Sequence, residues 1–138
     1  MKILATATSV FLFIAAVYGQ TAADLAKKYQ HREVYEVQPG VQMVPIFDSS
    51  GVVCKMQVEQ AHFGANGAEF SDGIDERKIY PIIDQLVPVP ERGLKLNTIE
   101  ECGGICQTTR EYENVTIKIL SVGHTRLVTI KWRNRSCE

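Results

Sequence analysis

Val41-Gln42-Met43-Val44-Pro45-Ile46-Phe47-Asp48, then Ser49-Ser50-Gly51, then Val52-Val53-Cys54-Lys55-Met56-Gln57-Val58-Glu59 is the stretch that decides the fold. In its first half Val41, Met43, Pro45 and Phe47 alternate with Gln42, Val44, Ile46 and Asp48, a strand with apolar residues on both faces. Pro45 brings no N–H to a ladder, which places it at a sheet edge or a bulge. Asp48 to Gly51 supplies the side chains that reverse a chain: Asp and Ser bond to nearby main chain, and Gly accepts positive φ. On the way back Val52, Cys54, Met56 and Val58 share one face and Val53, Lys55, Gln57 and Glu59 the other, a period of two. The reading is an antiparallel hairpin.

Upstream, Val34, Tyr35 and Val37 form a further strand closed by Pro39-Gly40, a turn pair. Before it, Thr21 caps a helix of about two turns in which Ala22, Ala23 and Ala26 supply helical propensity and Leu25 faces inward with Lys28 or Tyr29. Downstream, Gln60 to Gly73 is rich in Gly and Ala and reads as a long surface loop. Ile79, Ile82, Ile83 and Leu86 follow the i, i+3, i+4, i+7 spacing of an amphipathic helix, with Pro81 setting its start near Ile79 or a kink, and Pro88 and Pro90 ending it. A linker through Arg92, Gly93 and Gly103-Gly104 leads to two strands, Thr109 to Leu120 and Arg126 to Arg133, joined by a turn at Gly123 and His124. The predicted fold is α+β: a small antiparallel sheet of about five strands packed against one or two short helices.

The chain has 138 residues and opens with Lys2 and an uncharged, mostly apolar run from Ile3 to Val17, followed by Val17-Tyr18-Gly19. That is the layout of a cleavable signal peptide, residues 1–19, leaving 20–138 as one secreted domain that begins at Gln20. The run falls short of the roughly 20 apolar residues that a stable membrane span needs, so no span is expected in the mature form. Lys and Arg number 15 against 16 Asp and Glu, for a formal net charge of −1. The one mildly basic patch, Lys131, Arg133 and Arg135, reads as a solvated strand end and not as the clustered footprint of a nucleic-acid site.

Lys28-Tyr29, Val37-Gln38-Pro39-Gly40-Val41, Val53-Cys54-Lys55-Met56 and Glu111-Tyr112-Glu113-Asn114-Val115-Thr116 together resemble small exported bacterial proteins of acidobacterial type. The resemblance runs over most of residues 20–138. It implies a cell-envelope setting and carries no assigned activity and no catalytic motif.

Cys54, Cys102, Cys106 and Cys137 are the only cysteines. In a chain outside the reducing cytosol, four cysteines read as two disulfides with three possible pairings. A hairpin about Gly123 would bring Cys137 near Thr109 and Arg110, within reach of Cys106, which favours Cys106 with Cys137 and Cys54 with Cys102. A zinc site built on Cys102 and Cys106 with His62 or His124 lacks the second, similarly spaced pair. A redox centre would want Cys-x-x-Cys at a helix start, whereas here three residues intervene and Gly103-Gly104 breaks a helix. No metal and no cofactor is expected.

His31, His62 and His124 fit no nucleophile or metal pattern. His62 opens the glycine-rich loop, with Glu59, Glu69 and Asp72 near it in sequence, so it is the histidine to watch as a general base. Asp72-Gly73-Ile74-Asp75-Glu76 lacks the ligand spacing of a calcium loop, and Ser71 or Asp72 reads better as a cap for the helix that follows. Asn114-Val115-Thr116 and Asn134-Arg135-Ser136 match the sequon that a eukaryotic secretory pathway glycosylates.

No motif supplies nucleophile, base and oxyanion donor together, whereas a long loop on a rigid sheet is a common way to present a contact surface. The sequence is therefore read as a noncatalytic binding module, secreted or periplasmic, that meets another envelope or extracellular protein or a wall component. Contact would run through the sheet edge near Pro45 or the loop residues His62, Phe63, Asn66 and Phe70. The rivals are a small secreted hydrolase using His62 and a disulfide-stapled structural or inhibitory protein.

Overall fold

A computed structural model describes residues 20–28, 34–60, 74, 76–123 and 125–137. The proposed signal segment and the loop at 61–73 lie outside them, as do Tyr29 and all three histidines. In chain order the elements are α1 (Ala22–Lys28), β1 (Tyr35–Gln38), β2 (Val41–Phe47), β3 (Val53–Gln60), α2 (Glu76–Leu86), α3 (Val89–Arg92), β4 (Lys95–Cys102), β5 (Cys106–Tyr112), β6 (Val115–Val122) and β7 (Thr125–Trp132).

The seven strands form one antiparallel sheet in the order β1-β2-β3-β7-β6-β5-β4. It is β-rich, with two more strands than the sequence suggested. Both come from the C-terminal half. Lys95–Cys102, read as linker, is a strand, and the long run from Thr109 to Leu120 breaks at Glu113-Asn114 into β5 and β6. The break is enforced by contacts elsewhere: Glu113 N–H donates to Leu94 O and Asn114 N–H to Arg92 O, so this turn is tied to the start of β4.

The β2–β3 hairpin forms as its sequence requires. Asp48 Oδ1 accepts the N–H of Ser50 at 2.9 Å, the Ser50 hydroxyl at 2.6 Å and the N–H of Val52 at 3.0 Å, while Gly51 takes φ of 78°. At α1, Thr21 Oγ1 accepts the Asp24 N–H and Asp24 Oδ2 accepts the Thr21 N–H, a reciprocal cap that satisfies two otherwise orphaned donors. In α2 the spaced Ile79, Ile82, Ile83 and Leu86 are all buried. The helix starts at Glu76, earlier than expected, with Pro81 inside it on the exposed side. Pro81 forgoes one main-chain bond, to the first-turn carbonyl of Arg77, and leaves the buried face undisturbed.

The pairing registers show where the core ends. One row of neighbours runs across the sheet as Tyr35, Met43, Val58, Val128, Ile119, Thr108 and Glu100. The next runs Pro45, Met56, Ile130, Ile117, Arg110 and Thr98. Both are apolar from the β1 side as far as β6 and turn polar at β5. The apolar positions pack in one cluster with Leu25 and the α2 isoleucines. Tyr80 of α2 reaches furthest: the Arg110 guanidinium lies over its ring at 4.5 Å and donates to its hydroxyl at 2.9 Å. Beyond Arg110, the β4 residues in these rows are all exposed. The opposite face carries Gln57, Thr129, Lys118, Thr109 and Ile99 in one row, the mixed polar lane of a solvated sheet face.

All four cysteines are paired, and differently from the expectation: Cys54 with Cys137, and Cys102 with Cys106. The expectation failed because Lys95–Cys102 was not recognised as a strand. Once β4 pairs with β5, Cys102 and Cys106 are direct cross-strand partners with Cα atoms 4.2 Å apart. Strand β7 lies beside β3, so the tail after β7 passes Cys54, where the Cα separation is 5.6 Å.

Candidate interaction surface

Strand β4 is the last strand of the sheet, and all eight of its residues are exposed. Native sheets guard such an edge by shortening it, by placing proline or lysine on it, or by covering it. The other edge follows that rule. There β1 has only four residues, its register with β2 shifts between Glu36 and Gln38, and the Gln38 amide reaches Gln85 of α2. Strand β4 has a register shift of its own between Lys95 and Asn97 and carries Lys95, Glu100 and Glu101, but it is twice as long, contains no proline, and holds apolar side chains in the open: Leu94 just before it is 72% exposed, Leu96 55% and Ile99 42%.

The strand is nonetheless held firmly. At its start Gly93 turns the chain with φ of 73°, its Cα packed against Glu113 so closely that a β-carbon would lie 2.8 Å from Glu113 Cβ. The Leu94 N–H donates to Glu113 Oε2 at 2.8 Å, and Asn114 Nδ2 donates to Glu91 O at 3.0 Å. Beneath this, buried Arg92 pairs with Asp84, donates through Nε to Val87 O at 2.8 Å and stacks over Tyr112. At its end the Cys102–Cys106 disulfide clamps the ribbon, and Gly104 with φ of 91° makes the turn. Ile105 in that turn is also exposed.

The outer main chain of β4 is open to a ligand strand. Thr98 N–H donates to the neighbouring Asn97 Oδ1 at 2.8 Å. The Cys102–Cys106 pair, with Cα atoms 4.2 Å apart, has the close spacing of a non-hydrogen-bonded pair, and four unshifted steps along the register make Thr98–Arg110 another such pair. In an antiparallel strand the N–H and C=O of one residue point the same way and successive residues alternate, so Thr98 presents both groups outward. A local side-chain bond of this kind is weak enough to exchange for a ladder bond.

The positions expected from the sequence fare unequally. His62, Phe63, Asn66 and Phe70, with Glu69, Ser71 and Asp72, lie outside the described residues. The chain leaves Gln60 for that segment beside an open pocket of about 260 Å³, whose lining includes Pro39, Gly40, Val41, Ile74 and Lys78. Pro45 sits in β2, the second strand in, but β1 pairs only with Val41 to Met43, so among the described residues no strand pairs with Pro45 on that side. The basic patch is largely committed: Arg133 donates to Tyr112 O, and Arg135 donates to Val53 O and stacks over Trp132. Asn114 stands in the β5–β6 turn and not within a strand. Among the described residues, no helix is long and apolar enough to cross a membrane, and no cluster of three or more His, Cys, Asp or Glu is placed to hold a metal ion.

Sequence reasoning missed the β4 edge because its signal was split. Lys95-Leu96-Asn97-Thr98-Ile99-Glu100-Glu101 lacks the alternation of a half-buried strand, since neither of its faces is buried. The available clue was the Cys-Gly-Gly-Ile-Cys turn at 102–106, a tight connection that needs a strand on both sides. Set against family models, curated proteins and solved structures, the chain matches none of them.

Proposed function

We propose that the protein is a noncatalytic interaction module, secreted or periplasmic after loss of residues 1–19, that joins its partner by strand addition at β4. Main-chain bonds along an open edge supply affinity in this mode, and side chains at alternate positions supply selectivity. The single observation that carries the reading is the state of β4: exposed throughout, apolar at Leu94, Leu96 and Ile99, and fixed at both ends by Gly93 and the Cys102–Cys106 bridge. A preorganised edge gives up little conformational entropy on binding. The segment after Gln60, with His62, Phe63, Asn66 and Phe70, is a second contact region; it follows β3, which lies four strands from β4 in the sheet order.

The test is hydrogen exchange on the protein alone and in contact with envelope or extracellular protein. The outward amides of β4, Thr98 above all, should become protected on association. Protection confined to other strands would reject β4 as the contact, and a hydrolytic activity lost in His62→Ala would reject the noncatalytic reading.

A further inference from the structure

We infer that the occupant of the β4 edge is a second copy of this chain, in an antiparallel, two-fold symmetric ladder centred on Thr98 that fuses two seven-stranded sheets into one. This rests on the reading of β4 as a contact edge and goes on to name what fills it.

The charge order along the strand argues for it. Lys95 stands near one end, and Glu100 and Glu101 near the other, with only Leu96, Asn97, Thr98 and Ile99 between them. A parallel copy would set the lysines together and the glutamates together. An antiparallel copy brings the basic end of each strand to the acidic end of the other, and directly opposed charges of unlike sign stabilise a strand pair while like charges destabilise it.

The centre is fixed by the same residues. The register of β4 against β5 shifts between Lys95 and Asn97, so Lys95, opposite Tyr112, stands two ladder positions from Thr98 and on the same face as Glu100. About Thr98, Lys95 meets Glu100 of the second copy twice over, and the two threonines face each other. A centre at Asn97 leaves Lys95 opposite Thr98 and pairs neither glutamate with a lysine. Moving it to Ile99 puts both glutamates opposite uncharged polar residues, and moving it to Glu100 opposes two like charges. Thr98 also has the right main-chain direction, since its N–H is outward and donates to the local Asn97 Oδ1, so the two copies can exchange N–H to O bonds at this residue. The two-fold axis stands perpendicular to the sheet, so the helices of both copies lie on the same side. Each copy's contact patch is then the same surface, the self-complementary arrangement of most symmetric dimers.

The experiment is sedimentation equilibrium on the oxidised mature protein over a concentration series of about 1 to 500 µM. A reversible monomer–dimer equilibrium is expected. Thr98→Pro removes an N–H that β5 does not use, a place where a strand tolerates proline, so the far-ultraviolet spectrum should be unchanged while dimerisation weakens by at least about tenfold. Lys95→Glu should weaken it as well, and the exchanged pair Lys95→Glu with Glu100→Lys should restore it, a rescue that does not depend on the proline variant folding. A wild type that stays monomeric throughout would overturn the inference, as would a dimer indifferent to Thr98→Pro or a double variant no better than Lys95→Glu alone. A monomer that takes a different protein on β4, in a manner abolished by Thr98→Pro, would also overturn it while leaving the edge as the contact surface.

Discussion

Removing one disulfide at a time separates two bridges that the fold uses very differently. Cys54–Cys137 spans 83 positions and Cys102–Cys106 spans four. The loop-closure expression for a cross-linked unfolded chain gives about 4.5 kcal/mol for the first and about 2 kcal/mol for the second at 25 °C. The buried surroundings widen the gap. Cys54 is fully buried, so Cys54→Ala also removes a packed sulfur, whereas Cys102 and Cys106 are exposed. The assay is equilibrium urea unfolding of Cys54→Ala/Cys137→Ala and of Cys102→Ala/Cys106→Ala. With a slope of about 1.5 kcal/mol per molar, the two midpoints should part by about 1.7 M, the first variant being the weaker. Equal midpoints, or a larger loss from the ribbon bridge, would refute the reasoning. Partial reduction adds a check: the exposed Cys102–Cys106 pair should be alkylated first, as seen by peptide mass spectrometry.

Ile130→Ala, at a fully buried position between Met56 and Ile117, should cost about 3 to 4 kcal/mol in urea unfolding, because the sheet rows on both sides cannot close the cavity. Gly93→Ala should cost about 1 to 3 kcal/mol, since an alanine there needs positive φ and drives its β-carbon into Glu113, and loss of the Leu94 amide's protection from exchange should accompany it. Asp48 is held below its ordinary carboxyl value of 3.8 by the Ser50 hydroxyl and then by the Val52 N–H, with Arg135 adding attraction. A carboxyl lowered in the folded state stabilises above its unfolded value and loses that contribution as pH falls through the folded one, so the hairpin should loosen only in acid below about pH 4. An NMR titration checks this: the Asp48 midpoint should rise in Ser50→Ala, and an unmoved midpoint would show that the hydroxyl is not the cause.

What could be read from the sequence follows from where burial imposes a period. Cys54 to Glu59 alternate because β3 has a core face and a solvent face, whereas Val53, where the register with β2 shifts, is buried along with Cys54; the α2 isoleucines keep helical spacing because one side of that helix is buried. The cap at Thr21 and the turn at Asp48 were legible because their chemistry is local. Strand β4 has no buried face, so nothing obliges Lys95 to Cys102 to alternate, and the strand vanished into a linker. The cysteine pairing failed for the same reason: it depends on which strands are neighbours, and a missing strand rearranges the neighbours. Pro45 was read as an edge position, and β1 does stop short of it, although β2 is the second strand of the sheet. The open edge at β4, the contact surface proposed above, was not visible at all, because an exposed ladder is a property of the sheet and not of any residue in it.

The strand order sets a timetable for synthesis. Strands β1 to β3 are made first and can form a meander at once, but the partner of β3 is β7, the last strand of the chain, through Lys55 to Val58 against Val128 to Lys131. Until some seventy further residues have emerged, β3 has one unpaired side and Met56 and Val58 lack their neighbours. The second meander grows toward this seam, from the far edge at β4 inward. Closure is thus a single late docking of two half-sheets, and Cys54 waits with it for Cys137, the second-to-last residue. An incomplete chain of this order stays open at its middle, a state prone to wrong strand pairing, and one that cannot harden into the final structure before β7 and Cys137 have been delivered.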